Sequence, residues 1–356
     1  MTRRLSIVLS VAFVGIAFVF AAGMSRGTPG DDATDMLQSR INALQPGGTL
    51  TLDPGVYPHS GVLHIRVPGV RINGNNATLQ ATNAATSSVQ VLANGVVLEN
   101  INLTGATSGK RWSGVDQHKL LVRGNDVTLR NISITGSAAA GVFLVGANNF
   151  AIDGVTVRET RADGIHITGG SSNGRVSGSM TEGTGDDGFA VISYHDAPPS
   201  SGIVLDSPVV NGTAWGRGVA VVGGNRISIS DVRVSGTSGA GIYIATEGSE
   251  YVTQSVDGVD VSGGSVTDAN RNPGVVQGAV LVYSGNGGER VSDVTIFGIT
   301  ISGTAPSAQR NVSVIRDAGT ISGVAFRDIR ILQSDLPAFY SNAPASSYTT
   351  TGFARG

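Results

Sequence analysis

Apolar residues in this chain come in short Val-, Ile- and Leu-rich bursts, each bounded by Gly, Asn, Asp, Ser or Thr. One series opens on glycine: Gly141-Val-Phe-Leu, Gly164-Ile-His-Ile, Gly188-Phe-Ala-Val, Gly218-Val-Ala-Val, Gly241-Ile-Tyr-Ile and Gly278-Ala-Val-Leu. These glycines lie 23, 24, 30, 23 and 37 residues apart. A second series is interleaved with it, at Val97–Leu103, Val127–Ile134, Phe150–Val157, Ile227–Val234, Val291–Ile301 and Ile321–Ile331. Alternating β-branched runs between turn residues predict strands, and recurrence at this length predicts a solenoid. A single unit cannot bury its own apolar face, so each coil must lie on its neighbour. The expected fold is all-β, a parallel β-helix with one coil per repeat and matching strands about 4.8 Å apart. A β-sandwich or propeller would also supply many short strands. Those folds favour hairpin turns or longer uniform blades, whereas this chain has irregular loops between segments of near-constant length.

The two ends read differently. Met1-Thr-Arg-Arg gives a positive start, Leu5 to Ala22 is apolar apart from small residues and Ser, and Ala21, Gly23 and Met24 offer a small-residue cleavage site. Residues 1–23 are therefore read as an export signal; retained, they would be a membrane anchor. Between Asp31 and Leu44, Leu37, Ile41 and Leu44 have helical spacing, with Thr34 or Asp35 as N-cap. A short helix here would cover the open first coil, which otherwise exposes strand edges. One domain spans residues 31–335, and the Pro-, Ser- and Thr-rich residues 336–356 read as a tail or far cap.

Composition changes this picture in two ways. There is no cysteine, so neither a disulfide nor a lipid-modified thiol is available, and stability after export must come from stacked core residues. Net charge is −2, with Lys110 and Lys119 the only lysines, so no basic patch exists for nucleic acid. A secreted or surface-bound monomer is expected.

The candidate chemistry lies just before the glycines. That position holds Ala140, Asp163, Asp187, Arg217, Ala240 and Gln277, and Asp186 is beside Asp187. Two residues beyond the glycine are Phe143, His166, Ala190, Ala220, Tyr243 and Val280, on the face opposite the core and so expected toward solvent. One strip thus collects Asp163, His166, Asp186, Asp187, Arg217 and Tyr243, flanked by Trp215 and Tyr194. Each Asp-Gly alone is an ordinary turn. Like charges on adjacent rungs are destabilising, so three acids in register point to acid/base work. A solvent-facing His166, aromatic loop contacts and a structural His195-Asp196 loop are the plain readings of the flanking residues. Glu159, Glu182 and Glu247 are expected to be solvated, and His59, His64 and His118 have no metal-ligand spacing.

Asp163-Gly-Ile, then Thr184-Gly-Asp-Asp-Gly188, then Gly216-Arg-Gly-Val219 with Gly223-Gly224 resemble the motifs of polygalacturonase-type glycoside hydrolases, which are right-handed parallel β-helices. Gly47-Gly-Thr-Leu-Thr-Leu-Asp-Pro-Gly-Val-Tyr57 resembles the opening coil of pectin-active β-helix proteins. The resemblance implies a hydrolase that inverts the anomeric carbon, with Asp186 protonating the leaving oxygen and Asp163 and Asp187 holding the water. It also implies departures. Arg217 replaces the family's motif histidine, and Tyr243-Ile-Ala245 replaces its uronate-gripping Arg-Ile-Lys. Without those cations a neutral polysaccharide, stacked on Tyr243 or Trp215, fits better than pectin. No cofactor is expected for hydrolysis. Two alternatives remain: a lyase or epimerase using the aspartates to hold Ca²⁺ with Arg217 as base, and a glycan-binding solenoid without catalysis.

Overall fold

The computed structural model describes residues 31–356, so the apolar segment read as an export signal lies outside the described residues. The chain is an all-β parallel helix. Eleven strands form one ladder in chain order, from Leu63–Ile65 to Phe339–Ser341, one strand per coil. A second sheet of nineteen strands forms the rest of the coil wall. Inward residues of the ladder stack in register (Val142, Ile165, Phe189, Val219, Ile242, Val280) and meet the apolar rows of the larger sheet in one continuous core.

Members of the larger sheet outside the predicted series include Ser172–Ser177, Met180–Thr184, Ser201–Asp206, Val209–Thr213 and Val256–Thr267. Gly, Ser, Asn and Thr interrupt these segments. They pair because apolar strands above and below supply the template, so context overrides weak local propensity. The repeat around Gly278 also shifts by one residue. Ile242 pairs with Val280 and Tyr243 with Leu281, so Val280 faces the core and Leu281 takes the outward position first assigned to Val280.

The glycines that open the strands form a column at one corner of the helix, and close approach explains them. A Cβ on Gly141 would lie 2.3 Å from Val157 Cγ1, on Gly164 2.4 Å from Thr181 Cγ2, on Gly218 2.4 Å from Val234 Cγ1, and on Gly241 2.3 Å from Val266 Cγ1. Each glycine lets a side chain of the larger sheet fill the corner.

The N-terminal helix spans Thr34–Asn42 and buries Leu37 and Ile41. Its N-cap is Ala33, not Thr34 or Asp35; Asp32 Oδ1 instead accepts the Thr34 N–H at 2.9 Å. Gln38 then imitates a missing strand. Its amide donates to His64 O at 2.9 Å and accepts the His64 N–H at 2.8 Å, closing the exposed edge of the ladder. At the far end, residues 339–355 form a last coil, with Phe339 and Phe353 packed on Phe326 and Tyr348 on Phe339.

Lys119 occupies the glycine column and is fully buried. His59 Nδ1 lies 2.9 Å from Gly61 O, so it carries the hydrogen and leaves Nε2 to accept from Lys119 Nζ at 3.4 Å; Ser87 O accepts at 3.1 Å. Burial lowers the Lys119 ammonium from 10.5 to about 7. Between those values the unfolded chain binds one more proton than the folded one, so stability is expected to rise with pH from about 7 to 10.5. Urea unfolding across that range should show a slope approaching about 1.4 kcal/mol per pH unit that Lys119→Met flattens; equal slopes in both proteins would refute the assignment.

Candidate active site

The turns that lead into three successive ladder strands carry Asp163, then Asp186 and Asp187, then Arg217, and buried threonines brace them. Thr160 donates to Ala162 O and Thr184 to Asp186 O, both at 2.7 Å, and Thr213 donates to Gly216 O at 2.8 Å. Asp163 and Asp187 also tie one coil to the next. Asp163 Oδ1 accepts the Asp187 N–H at 2.9 Å, and Asp187 Oδ1 accepts the Arg217 N–H at 2.6 Å. Gln277 Oε1 makes the converse joint with a neutral side chain, accepting the Ala240 N–H of the preceding coil at 2.9 Å. Registry therefore brings the three aspartates together, with one oxygen of each within 4.8 Å of the others.

Each carboxylate has a different environment. Burial alone would raise Asp163, but the hydrogen bond from His166, then the Arg111 guanidinium, hold it below the ordinary value. Asp186 is raised by burial and by the neighbouring Asp163, against the pull of Arg111. Asp187 is raised well above the usual range by burial; the Arg217 guanidinium opposes this and the other two carboxylates add to it. Environment thus separates one ionised acid from two that hold their protons more tightly, the arrangement that acid/base catalysis uses.

The cleft above these residues has a volume of about 920 Å³. Its floor is the outward face of the ladder, and this corrects the expectation of a solvent-facing strip. His166 and Tyr243 are buried, and Ala190, Ile192, Ala220, Val222 and Leu281 form a second apolar cluster there. Loops cover this face. Tyr194 lines the cleft from a segment fastened to residues 252–254: Gln254 Nε2 donates to Tyr194 O at 2.6 Å and to Ala197 O at 2.5 Å. Trp215 stands at the rim, 55% exposed. His195 points elsewhere, pairing with Glu289 at 2.9 Å.

Two cleft residues escaped the sequence reading. Arg111 Nη2 meets Asp186 Oδ2 at 2.8 Å. Its loop is held by Arg161, which donates to Lys110 O at 2.9 Å and to Ala106 O at 3.0 Å. Arg111 belongs to no repeat; the available signal was the long insertion between coils, since insertions in solenoids often build the binding face. Glu247 was expected to be solvated. It instead accepts from Tyr243 Oη at 2.9 Å and from Arg217 Nη2 at 3.2 Å, while the Arg217 guanidinium lies 4.4 Å from the centre of the Tyr243 ring. Arg217 is therefore spread over Asp187, Glu247 and Tyr243. The trio could offer a divalent cation one oxygen each, but Arg111 and Arg217 already supply positive charge there.

A family profile described as right-handed β-helix region matches residues 69–256, and the chain belongs to that family. Among solved structures, the catalytic domain of a GH87 α-1,3-glucanase in complex with tetrasaccharides superposes with a TM-score of 0.66 at 17% identity, covering 92% of this chain and 68% of that one. The A-module of mannuronan C-5 epimerase AlgE4 from Azotobacter vinelandii gives 0.61 at 16% identity, covering 91% and 97%. The catalytic unit of a GH87 α-1,3-glucanase from Streptomyces thermodiastaticus gives 0.62 at 17%, covering 95% and 70%. Three of the glucanase structures carry a single Asp→Ala substitution. No curated protein sequence matches the chain.

Proposed function

We propose that this chain is an exported glycoside hydrolase that cleaves a neutral polysaccharide, most simply a glucan, with inversion at the anomeric carbon. The observation that carries the reading is the convergence of Asp163, Asp186 and Asp187 beneath one cleft, in environments that split their proton affinities. Asp186 is the acid. It is the one member that accepts no backbone N–H from the next coil, and burial with a neighbouring carboxylate favours its protonated form. Asp163 and Asp187 lie on the water side. The comparisons support this assignment. The Asp→Ala substitutions in the glucanases fall 23 residues and then one residue apart, the spacing of Asp163, Asp186 and Asp187 here. Trp215 offers a stacking surface at the cleft mouth, and Tyr194 and Tyr243 line its interior.

A Ca²⁺-dependent lyase or epimerase is the second reading, favoured by the carboxylate spacing and by the fold shared with the epimerase module. Both reactions act beside a uronate carboxylate. The cations next to the trio are already committed, Arg111 to Asp186 and Arg217 to Glu247, which favours a neutral sugar.

Incubation of the purified protein with α- and β-glucans, including α-1,3-glucan, and with uronate polymers tests this. New reducing ends on a glucan, no ultraviolet-absorbing product and an inverted anomer in early proton NMR spectra are expected. Chelator-sensitive action confined to uronate polymers would replace hydrolysis with the second reading.

Arg111 gives a sharper expectation. Its guanidinium lowers Asp186, which must be protonated to serve as acid. Arg111→Met therefore raises the Asp186 pKa, with Asp163, Asp187 and Arg217 still in place, and the alkaline limb of the kcat/KM profile should move to higher pH. An unmoved limb would remove Asp186 from the role of acid.

A further inference from the structure

The hydrolase reading leaves the proton of the attacking water without a clear acceptor: Asp187 already accepts the Arg217 N–H and holds its own proton tightly, and both oxygens of Asp163 are engaged within the protein. Oδ1 accepts the Asp187 N–H at 2.9 Å and Oδ2 accepts from His166 Nδ1 at 2.6 Å. With Nδ1 donating to Asp163 Oδ2, the neutral imidazole presents Nε2 as an acceptor. That Nε2 is buried and has no hydrogen-bond partner, yet the residue lines the cleft. Buried polar atoms in folded proteins nearly always have a partner, so an orphan beside a cleft marks a place where a ligand atom belongs. The ring is also held still. Phe143 stacks on it at 4.9 Å and His118 stacks on Phe143 at 3.9 Å. His118 is committed elsewhere, its Nδ1 accepting the Ala140 N–H at 3.2 Å.

We propose that His166 is the catalytic base of the hydrolysis, with Nε2 receiving the proton of the attacking water, and that Asp163 is a positioning residue acting through the imidazole. This inference rests on the hydrolase reading. The water oxygen bonds to the anomeric carbon as the glycosidic C–O bond breaks. The water proton passes to Nε2, and the departing oxygen takes the proton carried by Asp186. The imidazolium then faces the Asp163 carboxylate until it releases its proton to solvent, while Asp186 regains one. An imidazole between carboxylate and water lengthens that path by a ring and a hydrogen bond. A trio packed within 4.8 Å can thereby leave room for the water molecule.

The test compares wild type, His166→Ala, His166→Gln, Asp163→Asn and the Asp163→Asn/His166→Ala double variant on the glucan that wild type cleaves. Thermal melting of every protein confirms folding. Each His166 variant should lose about 10²–10⁴-fold in kcat with little change in KM. Imidazole added to His166→Ala should restore part of the rate, which a purely structural role would not allow. The double variant should be no slower than the worse single one, because the two residues act as a unit. In wild type, ¹⁵N NMR should place the His166 hydrogen on Nδ1. A His166 variant with wild-type kcat, or a hydrogen found on Nε2, overturns the assignment while leaving the hydrolase reading intact. A wild type that cleaves no glucan overturns both.

Discussion

Asp186→Asn is expected to lower kcat on the natural polymer by about 10³-fold while leaving the fold intact and no less stable. An amide cannot protonate the leaving oxygen, so the loss should depend on the leaving group. On a glycosyl fluoride or an activated aryl glycoside, which depart without help, the variant should recover most of its rate. Stability should hold or rise, because asparagine has the shape of the protonated acid, cannot ionise beside the two other carboxylates, and forfeits only a salt bridge to the half-exposed Arg111. Kinetics on both substrates together with a melting curve check the claim. An equal loss on activated and unactivated substrates would assign Asp186 another role.

Gly141→Val should be strongly destabilising. The new Cβ would sit 2.3 Å from Val157 Cγ1 and 2.8 Å from Gly164 O, in a corner closed by the neighbouring coil. Overpacking of this kind costs about 3 kcal/mol or more, since neither the backbone nor the buried valine can move far. A fall in melting temperature of about 5–10 °C is expected. Gly178→Val is the contrast. No atom lies within 4 Å of the Cβ that Gly178 would gain, so its cost comes only from the left-handed backbone, with φ at 52°. Similar melting temperatures for the two variants would show that close approach is not what the glycine column serves.

The solenoid was legible because its cause is local and repeated. Gly-opened strands and Asn- or Asp-bearing turns recur often enough to fix the coil, and the acidic trio follows once coils are aligned. Arg111 and Glu247 were not legible, because they come from loops outside the repeat and reach the site only through tertiary folding. The burial of His166 and Tyr243 was misjudged for the same reason. Strand alternation tells which face is outward but cannot tell that loops fold back over that face. The weak strands Ser172–Ser177, Met180–Thr184, Ser201–Asp206, Val209–Thr213 and Val256–Thr267 were missed because their neighbours, not their own sequences, make them strands.

Two of the three acids are also part of the scaffold: Asp163 and Asp187 each fasten the following coil through a backbone N–H. A descendant that abandoned turnover would still be under pressure to keep them, or to exchange them for amides as Gln277 illustrates. Asp186 and Arg111, which hold no such joint, would be the first to erode. Among distant cousins of this chain, the pairing of those two residues is therefore a better marker of a working enzyme than the aspartate motif itself.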